Sequence, residues 1–216
     1  FDRYILGRWV AAEGAVYRVF ADAPERFVLG AEEAERVPLA AAAIGVDFGG
    51  NGSGHAFCCT GFEKGFRAMV TLAEWYHKGE ITPERLEAAF ADFARLCHAR
   101  FGARVAYCDS AEPTLILGLK AALMREHIPV EVKKARKSAV NGRIRFLCRL
   151  MADGRYRLSE GCPHTKDALR NALWDGRHTT EDVRLDNGTT NIDSLDAMEY
   201  SFEAYMEEML ALDGRG

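Results

Sequence analysis

Apolar positions along this chain keep two different rhythms. Leu39–Asp47 is a small, continuously apolar run ending in Val-Asp, the signature of a buried strand. His55–Gly61 and Phe66–Tyr76 are short, β-rich and separated by glycine, which predicts a meander after that first strand. The spacing then lengthens. Thr82 precedes Pro83, a capping residue before a proline suited to a first helical turn, and Leu86, Phe90, Phe93, Ala94 and Cys97 recur at helical intervals. Arg104–Asp109 is a second buried strand ending in an acid, and Ala111–His127 a helix with Leu115, Leu119, Ala122 and Leu123 on one face. Val130–Val132 predicts a short strand, Val140–Ala152 a helix, Tyr156–Leu158 a strand and His164–Leu173 a helix. Asp175–Asn191 is polar and rich in turn residues, a hairpin or a loop over the site. Asp193–Leu212 predicts a last helix with Leu195, Met198, Phe202, Tyr205 and Met209 inward. Strands first, then helices alternating with strands, give an α/β fold: a mixed sheet flanked by helices.

Residues 1–38 break both rhythms. Trp9, Val10, Val16, Tyr17, Phe20, Phe27 and Val28 are scattered among Gly, Pro and charges, so this stretch reads as an irregular arm or linker whose aromatics need cover. The chain begins at Phe1 rather than Met, which suggests a piece of something longer. Composition adds limits. The chain has 216 residues, 48 % of them hydrophobic, enough for one good-sized core. A net charge of −4 means that any affinity for nucleic acid must come from a local basic patch. The six cysteines form no CxxC pair, which argues against zinc, and most sit in apolar runs as reduced thiols would. No run of ~18 apolar residues is present, so no membrane association is expected.

Three acidic positions stand out. Asp47 closes one buried strand and Asp109 another, while Asp193 and Asp196 open the last helix three residues apart, on one face. A single acid after a strand is ordinarily a turn residue or a helix cap, and Asp109 before Ser110 suits that role. Three in the order strand, strand, helix point elsewhere. An acid at the end of an apolar strand is costly to bury without a partner. No basic residue nearby in sequence is an obvious partner for all of them, and hard divalent cations are. Lys133, Lys134, Arg136, Lys137, Arg143, Arg145 and Arg149 lie in a stretch without a single acid, which reads either as a solvated face or as a contact for a DNA backbone. Gly49, Gly50, Gly52 and Gly54 read as a hairpin turn or as a close approach for phosphate. His55, His98, His127 and His164 lack ligand spacing and read as structural.

Asp47, Asp109 and the Asp193/Asp196 pair resemble the acidic cluster of RNase H-like nucleases. More specifically, IGVDFGGNGSG at 44–54, YCDSAEP at 107–113, NGRIRFLCRLM at 141–151 and TTNIDSLDAMEYSFE at 189–203 resemble the C-terminal nuclease domain of phage terminase large subunits. LGRWVAAEGAVYRVF at 6–20 is similar to the segment joining the packaging ATPase to that nuclease. The resemblance implies an RNase H-like nuclease domain over 39–216, preceded by a linker from an ATPase domain over 1–38. It implies an endonuclease that cuts concatemeric double-stranded viral DNA during packaging in the host cytoplasm. The implied cofactor is Mg²⁺ or Mn²⁺, with two ions held by Asp47, Asp109 and Asp196 and Asp193 assisting. In the full-length protein the implied partners are DNA, the ATPase domain, the small terminase subunit and the portal. Some relatives carry His at the position of Asp193, which leaves its share of the work open. No GxxxxGK[ST] phosphate loop occurs here. Other readings remain: a Holliday-junction-resolvase-like nuclease, a catalytically silent module that docks DNA or portal, and an actin-like ATPase, whose phosphate loop the Asp-Phe-Gly-Gly run also resembles.

Overall fold

The computed structural model describes residues 14–50, 53–178, 182–187 and 191–211. Trp9, Val10, Gly52 and Leu212, named above, lie outside the described residues, as do 6–13, 51–52 and 189–190 of the motif segments. A seven-stranded mixed sheet forms the centre. Its strands are β1 (Val28–Leu29), β2 (Leu39–Asp47), β3 (Gly54–Glu63), β4 (Met69–Lys78), β5 (Val105–Cys108), β6 (Glu131–Lys134) and β7 (Tyr156–Ser159), in the order β1-β7-β4-β3-β2-β5-β6. β2, β3 and β4 form the expected antiparallel meander. β5 then joins β2 in parallel and β6 joins β5 in parallel, each reached through a helix as parallel pairing requires.

Alternation along β2 decides what covers each face. Ile44 and Val46 face a core built with α3 (Pro83–Phe101) and α4 (Pro113–Arg125). Ala43 belongs to a second core on the opposite face, with α5 (Val140–Ala152), α6 (Pro163–Asn171) and α7 (Asp193–Glu203). The meander, α3, α5, β7 and α6 fall within a few residues of their expected places, and Thr82 accepts the Arg85 N–H at the start of α3.

Two regions differ from expectation. Residues 14–38 are not irregular. They form α1 (Arg18–Asp22), a 3-10 turn at Pro24–Arg26, β1, and α2 (Ala31–Arg36). Val16, Tyr17, Phe20 and Phe27 are buried, so the scattered aromatics are anchors into the second core, and β1 extends the sheet in parallel beside β7. These elements are too short to leave a periodic signal. The last helix is interrupted: α7 ends at Glu203 and α8 (Met206–Leu210) follows, because Tyr205 leaves helical geometry and stacks on Phe62 with ring centroids 4.2 Å apart.

Candidate functional site

β2 and β5 are adjacent and parallel, with Val46 opposite Cys108, so their C-terminal ends deliver Asp47 and Asp109 side by side. The Asp109 N–H donates to the Val46 carbonyl at 3.0 Å, which extends the pairing to the acids themselves. α7 crosses the same end of the sheet because Gly45, two residues before Asp47, has no side chain. A Cβ there would collide with the Ala197 carbonyl and stand 2.6 Å from the Ser201 nitrogen, both helix backbone. That close seat brings Asp193 and Asp196 to the end of β2. The four sequence-predicted acids therefore occupy one end of the fold.

Electrostatics record their proximity. Burial pushes the Asp47 carboxyl well above the usual carboxylate range, and the charges of Asp196, Asp193 and Asp109 push it further, against Lys137. Burial pushes Asp196 up to about 6 despite Arg184 beside it. Asp193 is raised by burial, opposed by the Gly54 N–H. Helix capping does not account for these acids: Asn191, not Asp193 or Asp196, accepts the Ser194 N–H at the start of α7, at 3.1 Å. Asp193 Oδ2 instead accepts the Gly54 N–H across the structure at 2.8 Å. Asp109 does hold a turn, accepting the Ala111 N–H at 2.8 Å.

Two of these acids do have a basic partner, a different one each. Lys137 Nζ lies 2.5 Å from Asp109 Oδ1, and Arg184 is paired with Asp196. Asp109, Asp193 and Asp196 are each drawn to a different protein donor, and no group of three or more His, Cys, Asp or Glu among the described residues stands arranged to hold a metal ion. The donor set itself suits a hard divalent cation: oxygen ligands only, partly buried, and mutually repelling around Asp47.

The basic stretch divides. Lys133 and Lys134 are exposed on β6, the edge strand beside β5, and Arg136 and Lys137 follow in an exposed loop. Arg145 is exposed on α5. Arg143 is not a surface residue. Its side chain is buried, donates from Nε to Glu199 Oε2 at 2.9 Å, and lies over the Tyr200 ring. The periodicity of α5 puts it on the inward face with Ile144, Phe146 and Leu147, which the charge run concealed.

Solved structures share this architecture. The large terminase of a thermophilic bacteriophage superposes with a TM-score of 0.66 at 21 % identity over 91 % of this chain. The chain spans 46 % of that terminase's length. The P22 large terminase nuclease domain gives 0.64 at 17 % identity, over 93 % of this chain and 98 % of that domain. The SPP1 large terminase nuclease domain with bound Mn gives 0.55 at 20 % identity, over 82 % and 96 %. The chain has the fold of a large-terminase nuclease domain. No protein-family model and no curated protein matches the sequence.

Within this terminase nuclease fold, sequence reasoning missed a buried polar network behind the acids. Glu199, fully buried on α7, accepts from Tyr17 Oη at 3.1 Å, Arg143 Nε at 2.9 Å and Arg184 Nη1 at 2.6 Å. One turn further along α7, Glu203 accepts the backbone N–H groups of Lys137, at 3.0 Å, and Ser138, at 2.5 Å. Lys137 has φ +54°, a left-handed conformation uncommon outside glycine, and Glu203 holds it there with its ammonium on Asp109. The available signal was the spacing Asp196, Glu199, Glu203: three acids on one helical face, the latter two among apolar neighbours. Tyr200, on the same helix, is nearly buried, and its phenol is pushed upward by burial and by Asp196, Asp47 and Asp109.

Proposed function

We propose that this chain is the nuclease part of a phage terminase large subunit, a divalent-metal-dependent endonuclease that cuts concatemeric double-stranded DNA during genome packaging. The observation that carries the reading is the meeting of Asp47, Asp109, Asp193 and Asp196 at one end of the sheet, beside the basic run of β6 and its following loop. Mg²⁺ or Mn²⁺ is the cofactor; two such ions about 4 Å apart, when bound, supply water activation and charge stabilisation at the leaving oxygen. Asp47, Asp109 and Asp196 would hold them, with Asp193 assisting. Mutual repulsion around Asp47 is the physical reason for the site to accept cations.

The remaining residues serve the DNA. Lys133, Lys134, Arg136 and Arg145 are exposed cations positioned to hold the phosphate backbone without reading sequence. Lys137 stands between that run and the acids, so a backbone held by the run is led toward Asp109. The small terminase subunit and portal are partners of the whole protein, and the ATPase domain is the one joined through the segment over 1–38. The host cytoplasm is the setting. No helix among the described residues is long and apolar enough to cross a membrane.

The test is nicking of supercoiled plasmid. Cutting with Mn²⁺ or Mg²⁺ that stops on addition of EDTA supports the reading, and undiminished cutting in EDTA sinks the metal mechanism. DNA binding without any cutting would leave a docking module, and nucleotide binding would favour an ATPase.

A further inference from the structure

Arg184 lies in the stretch read from sequence as a hairpin or a loop over the site, and it is among the most tightly held cations of the described residues. Its backbone is fixed by pairing. Trp174 and Arg184 form an antiparallel bridge, the Leu185 N–H donates to the Leu173 carbonyl at 2.8 Å, and the Asp175 N–H donates to the Val183 carbonyl at 2.7 Å. On the other side of this strip, Ala15 pairs with Leu173. The guanidinium is fixed as well. Nη1 donates to Glu199 Oε1 at 2.6 Å, and Nη2 donates to Asp196 Oδ1. Glu199 is itself immobilised, its Oε1 also accepting from Tyr17 and its Oε2 from Arg143.

We infer that Arg184 is a positioning residue: it clamps one oxygen of Asp196 so that the carboxylate presents a fixed geometry to a divalent cation, and Glu199 with Tyr17 holds the clamp. The inference rests on the metal reading proposed above and assigns Arg184 a role within it. Two observations separate a clamp from a counter-cation that must leave. Among the described residues, the fork meets Asp196 at Oδ1. The Arg184 side chain is 5 % exposed whereas that of Asp196 is 23 % exposed, so the carboxylate stays accessible while its holder does not. An arginine fork is suited to this work because its planar donors fix direction as well as charge, which an ammonium cannot do. Groups that orient a metal-binding side chain in this way typically govern affinity by ~10–100-fold. Tyr17 extends the chain of support into the N-terminal segment, so residues before the sheet help to build the site.

The experiment is Mn²⁺ titration followed by electron paramagnetic resonance, on the parent protein, Arg184→Gln, Arg184→Lys, Tyr17→Phe and Asp47→Asn. Circular dichroism melts run alongside. The parent is expected to bind Mn²⁺ and Asp47→Asn to lose it; absence of binding by the parent would overturn the metal reading, and this inference with it. Given parental binding, Arg184→Gln is expected to bind ~10–100-fold more weakly. Arg184→Lys, which keeps the charge, is expected not to restore affinity. Tyr17→Phe, which removes one hydroxyl from the support, is expected to weaken binding by ~2–10-fold. Equal or tighter Mn²⁺ binding by Arg184→Gln would overturn the clamp and make Arg184 a competitor of the cation. Parental affinity in Arg184→Lys would show that charge alone suffices and would equally overturn it. Should Arg184→Gln fail to fold, Arg184→Lys and Tyr17→Phe decide the matter.

Discussion

Gly45→Ala is the sharpest probe of how the site is assembled. The added methyl would collide with the Ala197 carbonyl and lie 2.6 Å from the Ser201 nitrogen. Optimal non-bonded separations begin at about 3.5 Å, so α7 must move away from β2 by roughly 1–2 Å. Both colliding atoms are helix backbone, which cannot rotate aside as a side chain would. Overpacking of this kind costs about 1–3 kcal/mol, and a chain of this size loses ~2–4 °C of Tm per kcal/mol, so Tm should fall by ~2–12 °C. The functional loss should be larger than the stability loss suggests, because a 1 Å displacement of reacting groups can cost ~100-fold. Gly142→Ala is the matched control. It lies in α5, where a new Cβ meets nothing within 4 Å, and the helix should gain about 0.5–1 kcal/mol. The assay is thermal melting and metal-dependent plasmid nicking on both variants and the parent. A Gly45→Ala protein with parental Tm and parental nicking would mean that α7 does not rest on β2 at Gly45, and the placement of Asp193 and Asp196 would fall with it.

Further outcomes are expected elsewhere in the molecule. Asp47→Asn should abolish nicking yet raise Tm in EDTA at pH 7–8. The folded-state pKa of Asp47 lies above its unfolded value, so its ionisation erodes stability as pH rises from about 4; the variant's advantage should therefore vanish below about pH 4, and an unchanged Tm at pH 8 would contradict the repulsion. Asp109→Asn and Asp196→Asn should also stop cutting, with Asp193→Asn milder; parental rates for Asp47→Asn and Asp109→Asn together would return these acids to turns and caps. Neutralising Lys133, Lys134, Arg136 and Arg145 should weaken DNA binding whatever the sequence and reduce the log–log salt slope by about 0.9 for each phosphate left without its cation, so an unchanged slope would place DNA elsewhere. Arg143→Gln should instead lower stability by ~1–3 kcal/mol, read by denaturant unfolding, because it removes the buried cation beside Glu203 and leaves Glu199 to Arg184 and Tyr17; a neutral effect would show the network to be dispensable.

What the sequence disclosed and what it hid follow one physical division. Strands and helices that bury a regular face leave a period, and β2, α3 and α5 are legible for that reason. The acids at 47, 109, 193 and 196 are legible because a charge ending an apolar run conflicts with its surroundings. Glu199 sits among apolar neighbours and left that signal, but Tyr17 and Arg184 conflict with nothing locally. Their significance lies in contacts across 182 residues for Tyr17 with Glu199 and 15 for Arg184 with Glu199, and such pairings leave no mark on either segment. Arg143 shows the converse, since a run of cations around it suggested a solvated face or a DNA contact, while the apolar residues interleaved with it carried the true orientation.

The acids of the site enter the chain far apart. Asp47 is made early, Asp109 midway, and Asp196 only with α7. The sheet between them also closes late, because β4 has no neighbour on its outer side until β7 is complete. Synthesis from the N-terminus therefore passes through a long stage in which half of the candidate cation ligands do not yet exist. A nascent or prematurely terminated chain of this kind carries strands and a basic edge without the constellation that could cut. On the proposed nuclease reading, the order of residues along the polypeptide acts as a delay, since a product that stops short of α7 lacks two of the four acids.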